Sequence, residues 1–248
     1  MSTQAVIPKT TGVGIWAGIH LLANAALLWL GYYWLGVTES RMSALFWSAF
    51  VALALACLVC WLHGATFAGF RGAPPGKAFA QALRHLLPVL LVAVAIAALY
   101  GLLQSWANYS REPAWRIASW LTLKFRKPVK PAAVLRVFDT ALWLMRWTIL
   151  PVFLLPLVSG AAGRGWEGFG EIGRYARSWR YWIAVPVLLV CAFWLPFRLL
   201  GWRPRMHTFT LEMISFVARL LVAYLLFVGS WLLLVFLTGS GRATPKLR

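Results

Sequence analysis

Asp139 is followed seven residues later by Arg146, and Glu212 seven residues later by Arg219. Both pairs lie in long apolar runs, where an ionisable side chain is expensive and so a candidate for function. Seven residues is close to two helical turns, so acid and arginine share a face, with the arginine roughly 10 Å further along the axis. That gap is too wide for an ion pair within one helix. Neighbouring helices could cross-pair the four groups, or a phosphate or carboxylate could sit between them, and Ser215 would add a hydroxyl on the Glu212–Arg219 face. Arg198 closes another apolar run, with Arg203 and Arg205 just beyond it. Arginine holds phosphate through two parallel hydrogen bonds, so Asp139, Arg146, Arg198, Glu212, Ser215 and Arg219 together suit an anionic amphiphile. The competing reading is structural. Helical side chains lean toward the N-terminus, the near interface for both runs, so Arg146 and Arg219 could snorkel outward.

A second constellation involves histidine. His20 and Asn24 are one turn apart in the first apolar run, and His63 is near the end of the second. Antiparallel packing would bring His20 and His63 to similar depth, as bis-imidazole haem ligation requires. Histidines in spans more often hydrogen-bond a neighbouring helix. No carboxylates or further ligands accompany these two, so neither a metal nor a cofactor is expected. Cys57 and Cys60 form a C-x-x-C, but inside an apolar run a thiolate is disfavoured, and they read as small packing residues. No Walker loop, H-E-x-x-H or G-x-S-x-G occurs. Six acids scattered over the whole chain offer no cluster to hold Mg²⁺. Glu167 and Glu171, in a glycine-rich loop among arginines, read as a solvated loop face.

The elements that must position these groups follow from composition. The chain is 61% hydrophobic and 12% charged, against about 45–50% and roughly 25% for soluble domains. A soluble fold would expose a large apolar surface, whereas a bilayer solvates it. Six stretches are long enough to cross about 30 Å of hydrocarbon: 13–35, 44–67, 85–106, 138–159, 181–200 and 211–238. The first is expected to be a retained span and not a cleaved signal, because no A-x-A-like site follows it. Pro151 and Pro156 in the fourth, with Pro186 and Pro196 in the fifth, predict kinks. The segment 71–76 reads as a turn from its proline and glycine content.

Residues 107–137 form the one long connection. Trp115, Ala118, Leu121 and Phe125 recur at helical spacing, interleaved with Arg116 and Lys124, and Pro113 suits a first turn. This predicts an amphipathic helix lying in the interface, followed by a stiff basic linker carrying Arg126, Lys127 and Lys130. Trp115, Arg116, Lys124, Arg126, Lys127 and Lys130 are thus the expected lipid-interface residues.

The chain reads as an all-α integral membrane protein. Residues 1–248 form one polytopic domain, a bundle of about six transmembrane helices with one interfacial amphipathic helix between the third and fourth. A bacterial-type inner membrane with both termini cytoplasmic is expected, with Lys9 before the first span and Glu39 after it tilting the balance. The formal net charge of +18 would suggest nucleic acid in a soluble protein. Here the cations lie between spans, so anionic membrane lipids, and other membrane subunits, are the expected partners and nucleic acid is not. Three functions compete. The first, preferred, is a non-catalytic accessory, assembly or lipid-organising component. The second is a small transporter or lipid-handling protein binding an anionic headgroup through Arg146 and Arg219. The third is a membrane-embedded transferase on a lipid phosphate, with the same arginines stabilising charge.

Overall fold

The computed structural model describes residues 10–38, 40–202, 204 and 208–240. Expectations resting on Lys9, Glu39, Arg203 and Arg205 fall outside them. Among the described residues ten α-helices run in chain order: α1 (Thr10–Leu35), α2 (Met42–Phe70), α3 (Pro75–Arg84), α4 (Leu86–Tyr109), α5 (Arg111–Phe125), α6 (Pro131–Leu144), α7 (Leu150–Arg164), α8 (Trp179–Leu189), α9 (Leu195–Gly201) and α10 (Phe209–Ser240). Among the described residues there is no strand. Six helical stretches are long and apolar enough to cross a membrane: α1, α2, α4, α6 with α7, α8 with α9, and α10. The chain is an all-α membrane bundle.

The two composite spans are joined by widened π turns, Met145–Ile149 and Val190–Trp194. Each π turn ends two residues before a proline, Pro151 and Pro196. Proline has no N–H and its ring crowds the preceding turn, so an extra residue per turn lets the helix continue through it. The fourth span also begins earlier than expected, at Pro131 in the first helical turn.

Buried side chains gather at one end. Phe67, Val89, Val92, Ala161, Ala162 and Val235 bring α2, α4, α7 and α10 together, and Val152, Tyr181, Val185, Leu189 and Leu234 add α8. Trp16, Ala65, Ala68, Ala78 and Ala82 join α1, α2 and α3. Toward the other end the helices keep large apolar side chains uncovered, among them Leu28, Trp29, Tyr32, Leu102, Ile214 and Leu221. A bilayer solvates them; no protein core is needed there.

Two expectations are corrected at the packed end. The turn after α2 is real, with Gly72 at φ +98°, but it leads at once into α3. That helix starts at Pro75 in its first turn and buries Ala78 and Ala82, one turn apart, against α2. Two alanines make too faint a stripe to read from sequence, yet small residues are what close packing requires. The glycine-rich loop after α7 is likewise not a solvated face. Gly165–Glu171 forms a 3₁₀ stretch folded back on α7, and of its two acids Glu171 is only 7% exposed while Glu167 remains outside.

The fold-back depends on glycine. A Cβ on Gly160 would sit 2.4 Å from the Gly168 carbonyl oxygen, and one on Gly168 would sit 2.1 Å from the Gly160 carbonyl carbon. Backbone cannot move aside as a side-chain tip can. Gly160→Ala and Gly168→Ala are each expected to destabilise the protein by about 3 kcal/mol or more, the upper range of overpacking. Gly101→Ala, where nothing lies within 4 Å, should be neutral or stabilise by up to about 1 kcal/mol through helix propensity. Thermal unfolding of the purified variants in one detergent checks the contrast, and equal melting of all three would refute it.

Candidate functional site

The two acid–arginine motifs go to different places. In α10, Arg219 turns toward the end of α9. Its Nε donates to the Ser215 carbonyl at 3.1 Å, and its Nη1 donates to the Leu199 carbonyl at 3.3 Å and to the Trp202 carbonyl. The last carbonyls of a helix lack intrahelical donors and carry the negative end of its dipole, so a guanidinium there is a cap. Ser215 contributes its backbone oxygen. Glu212 is exposed, and it lines with Arg219 an open crevice of about 330 Å³ shared with Leu200, Phe209, Met213 and Phe216. Arg198 lies across α9 from that crevice, its guanidinium 5.6 Å from the Trp194 ring centroid.

Arg146 stands within the first π turn. The Leu150 N–H bonds back to the Met145 carbonyl, and Pro151 has no N–H to offer. The Arg146 carbonyl has therefore lost its helical donors, and the Tyr100 hydroxyl of α4 donates to it at 2.6 Å. The guanidinium is treated differently from that of Arg219. Nε and Nη2 are shielded and have no hydrogen-bond partner among the described residues. Asp139 is exposed, and the ion pairs among the described residues lie elsewhere: Glu112–Arg116, and Glu171 with Arg164 and Arg174. The two motifs do not meet, because α6 packs chiefly on α4 and α5, and the start of α10 packs on α9. An arginine at the centre of a span costs roughly 2.5–3.5 kcal/mol on insertion scales.

The histidines of the first two spans do come together, with His20 and His63 ring centroids 5.5 Å apart. Asn24 Nδ2 donates to His20 Nδ1 at 3.0 Å, which leaves Nε2–H to donate to Thr66 Oγ1 at 2.7 Å. The Thr66 hydroxyl donates onward to the Leu62 carbonyl at 2.8 Å. Both ring nitrogens of His20 are thus engaged in hydrogen bonds to the protein. Trp231 meets the His63 ring edge-on at 4.7 Å. His63 Nδ1 and Trp231 Nε1 are shielded without partners among the described residues. Tyr224 closes the cluster by donating to the Leu21 carbonyl of α1.

The packed end holds a polar group that sequence reasoning missed. Three side chains from different elements converge on the end of α7. Arg71 Nη2 donates to the Ser159 carbonyl and, at 2.7 Å, to its hydroxyl. Gln81 donates to the Gly163 carbonyl at 2.8 Å, and His85 Nδ1 to the Ala162 carbonyl at 3.0 Å. Beside them Glu171 receives Arg164 at 2.6 Å and Arg174 at 2.9 Å. One signal was present: glycines at 160, 163, 165 and 168, of which Gly163 leaves room for the Arg71 guanidinium and Gly165, at φ +62°, ends the helix.

The α5–α6 hairpin carries the six expected interface residues. Ala114 and Ala118 pack on Val134, Thr122 Oγ1 accepts the Val129 N–H at 3.0 Å, and Arg126 ends α5 in the left-handed conformation. Trp115, Arg116, Lys124, Arg126, Lys127 and Lys130 are all exposed.

The His20 network makes a test of what these buried groups contribute. Thr66→Val keeps volume but strands the His20 Nε2–H, an expected loss of about 1–3 kcal/mol. Thr66→Ser restores the acceptor and should recover most of it. Unfolding midpoints of the two variants decide, and equal losses would mean the hydroxyl is not what matters.

Compared with protein-family descriptions, curated proteins and solved structures, the chain matches none.

Proposed function

We propose that this chain is a non-catalytic membrane component that gathers anionic lipid around its α5–α6 hairpin. The observation that carries the reading is the uncovered outer face of that hairpin. Ala114 and Ala118 use the inner face of α5, while Leu123, at 80% exposure, and Trp120 point away from the bundle. Lys124 Nζ stands 4.6 Å from the Trp120 ring centroid, and Arg116 flanks it. An apolar body beside a cationic tip suits the boundary between acyl chains and headgroups.

Charge supports the same reading. Between residues 124 and 136 the hairpin carries Lys124, Arg126, Lys127, Lys130 and Arg136 and no acid. Each such cation near an anionic surface is worth about 1 kcal/mol. The polar groups of the helix ends support a structural part for most of the chain: Arg219, Arg71, Gln81 and His85 donate to helix-end carbonyls, and Glu171 is held between two arginines.

The test uses the full chain in nanodiscs of phosphatidylcholine and phosphatidylglycerol with spin-labelled lipids. Labelled phosphatidylglycerol is expected to be immobilised by the protein several-fold more than labelled phosphatidylcholine. Changing Lys124, Arg126, Lys127 and Lys130 together to Gln should abolish most of that preference without altering the melting temperature. A preference unchanged in this variant would sink the proposal.

A further inference from the structure

Arg146 is a cation whose position demands a partner that the described residues do not supply. Nε and Nη2 lie on one edge of the guanidinium and point the same way, as two parallel donors that match the two oxygens of a carboxylate. Both are shielded and unpartnered among the described residues. A snorkelling arginine would carry its guanidinium edge out to the interface; here that edge is turned into the protein. The Tyr100 hydroxyl is spent on the Arg146 carbonyl.

The likeness to Arg219 ends at the side chain. Arg219 has carbonyls within reach because α9 ends beside it. Arg146 sits in mid-helix, where the carbonyls around it serve the helix itself and the one released by Pro151 is taken by Tyr100. Asp139 is two turns away and exposed, and the acids that form ion pairs are Glu112 and Glu171. Among the described residues the cation is left without a counter-charge.

We infer that Arg146 is the binding site for a long-chain carboxylate, held inside the membrane by its Nε/Nη2 edge. Three features select that class. One unbalanced positive charge calls for a monoanion, and the two parallel donors of the Nε/Nη2 edge match the two oxygens of a carboxylate. Depth argues against a phospholipid. Tyr100, level with Arg146, lies nine residues before the end of α4, about 14 Å along the axis at 1.5 Å per residue. A headgroup fixed at the surface does not descend that far, but a fatty acid enters the bilayer as the neutral acid, and as its carboxylate pairs with the guanidinium the carboxyl proton is released to the aqueous phase. Finally, Trp143 and Leu144 beside the site are exposed apolar residues that suit an alkyl chain. The site is independent of the lipid-gathering hairpin, which is made of other residues.

The test is binding of [1-¹³C]oleate to the full chain in phosphatidylcholine nanodiscs, followed by the carboxyl resonance and by native mass spectrometry. About one oleate per chain is expected, with its bound carboxyl still ionised at a pH where membrane-dissolved oleic acid is neutral. Arg146→Gln should weaken binding at least tenfold. Arg146→Lys, which keeps charge but loses the paired donors, should weaken it less, and it decides the matter if the Gln variant fails to fold. Methyl oleate should not compete. Competition by acetate at the same concentrations would assign the site to free carboxylates and leave the anion site standing. Unaltered oleate binding in both Arg146 variants, competition by methyl oleate, or no binding at all would overturn the inference. The four-residue Gln variant of the hairpin should bind oleate as the unaltered chain does, so the two proposals fail separately.

Discussion

A backbone carbonyl that loses its helical donor in hydrocarbon has no water to turn to, and leaving it bare costs several kcal/mol. This constraint organises the protein's polar side chains. At the end of α7 the donors are Arg71, Gln81 and His85; at the end of α9 the donor is Arg219; at the first π turn it is Tyr100. Aromatic N–H and O–H groups do the same elsewhere. Trp61 donates to the Phe79 carbonyl at 2.9 Å, Trp182 to Ala176 at 2.7 Å, and Tyr175 to Thr238 at 2.9 Å. Trp61, Trp182 and Tyr175 thereby tie one stretch of chain to another through a backbone carbonyl.

The same constraint explains why the two ends of the bundle differ. At the packed end the chain makes short elements, α3 and the 3₁₀ stretch, whose ends leave many carbonyls and bring glycine backbones within contact. Satisfying them draws α2, α3, α4 and α7 into one cross-linked layer. At the other end α4, α6, α9 and α10 run out as helices whose apolar side chains face outward. There Arg219 meets the carbonyls at the end of α9. The hairpin of α5 and α6 is closed by its own small contact, Ala114 and Ala118 on Val134.

How much of this was legible in the sequence follows from what kind of signal each feature leaves. Apolar length marks every span, because a bilayer's thickness sets it, and the helix of α5 was legible from its repeat of Ala118 and Leu121. The meeting of His20 and His63 was legible too, from depth alone in an antiparallel pair. Helix α3 was not, since its buried face is two alanines. Glu171 was misread because an acid among arginines in a glycine-rich loop has the composition of a solvated turn; only the fold-back of Gly168 onto Gly160 buries it. Partner choice in space, which depends on where another helix ends, leaves no mark on the spacing of one motif.

That last point is sharpest in the two acid–arginine motifs, alike in spacing and unlike in fate. Helix α10 runs unbroken from Phe209 to Ser240, so the side chain of Arg219 is free to reach the neighbouring α9 terminus and does. The fourth span is interrupted five residues after its arginine by Pro151, and the π turn that accommodates the proline fixes the backbone at Arg146 itself. The adjoining span carries the same device, with Pro196 after Val190–Trp194, and Trp147 meets Phe193 at 6.4 Å between the two widened turns. Two helices broken at one level pack on each other through aromatic rings and not through complementary charge. An arginine built into such a joint has its main chain satisfied by Tyr100 and its side chain left over, and it is the position of a proline, more than that of any acid, that separates a structural arginine from one with a free edge.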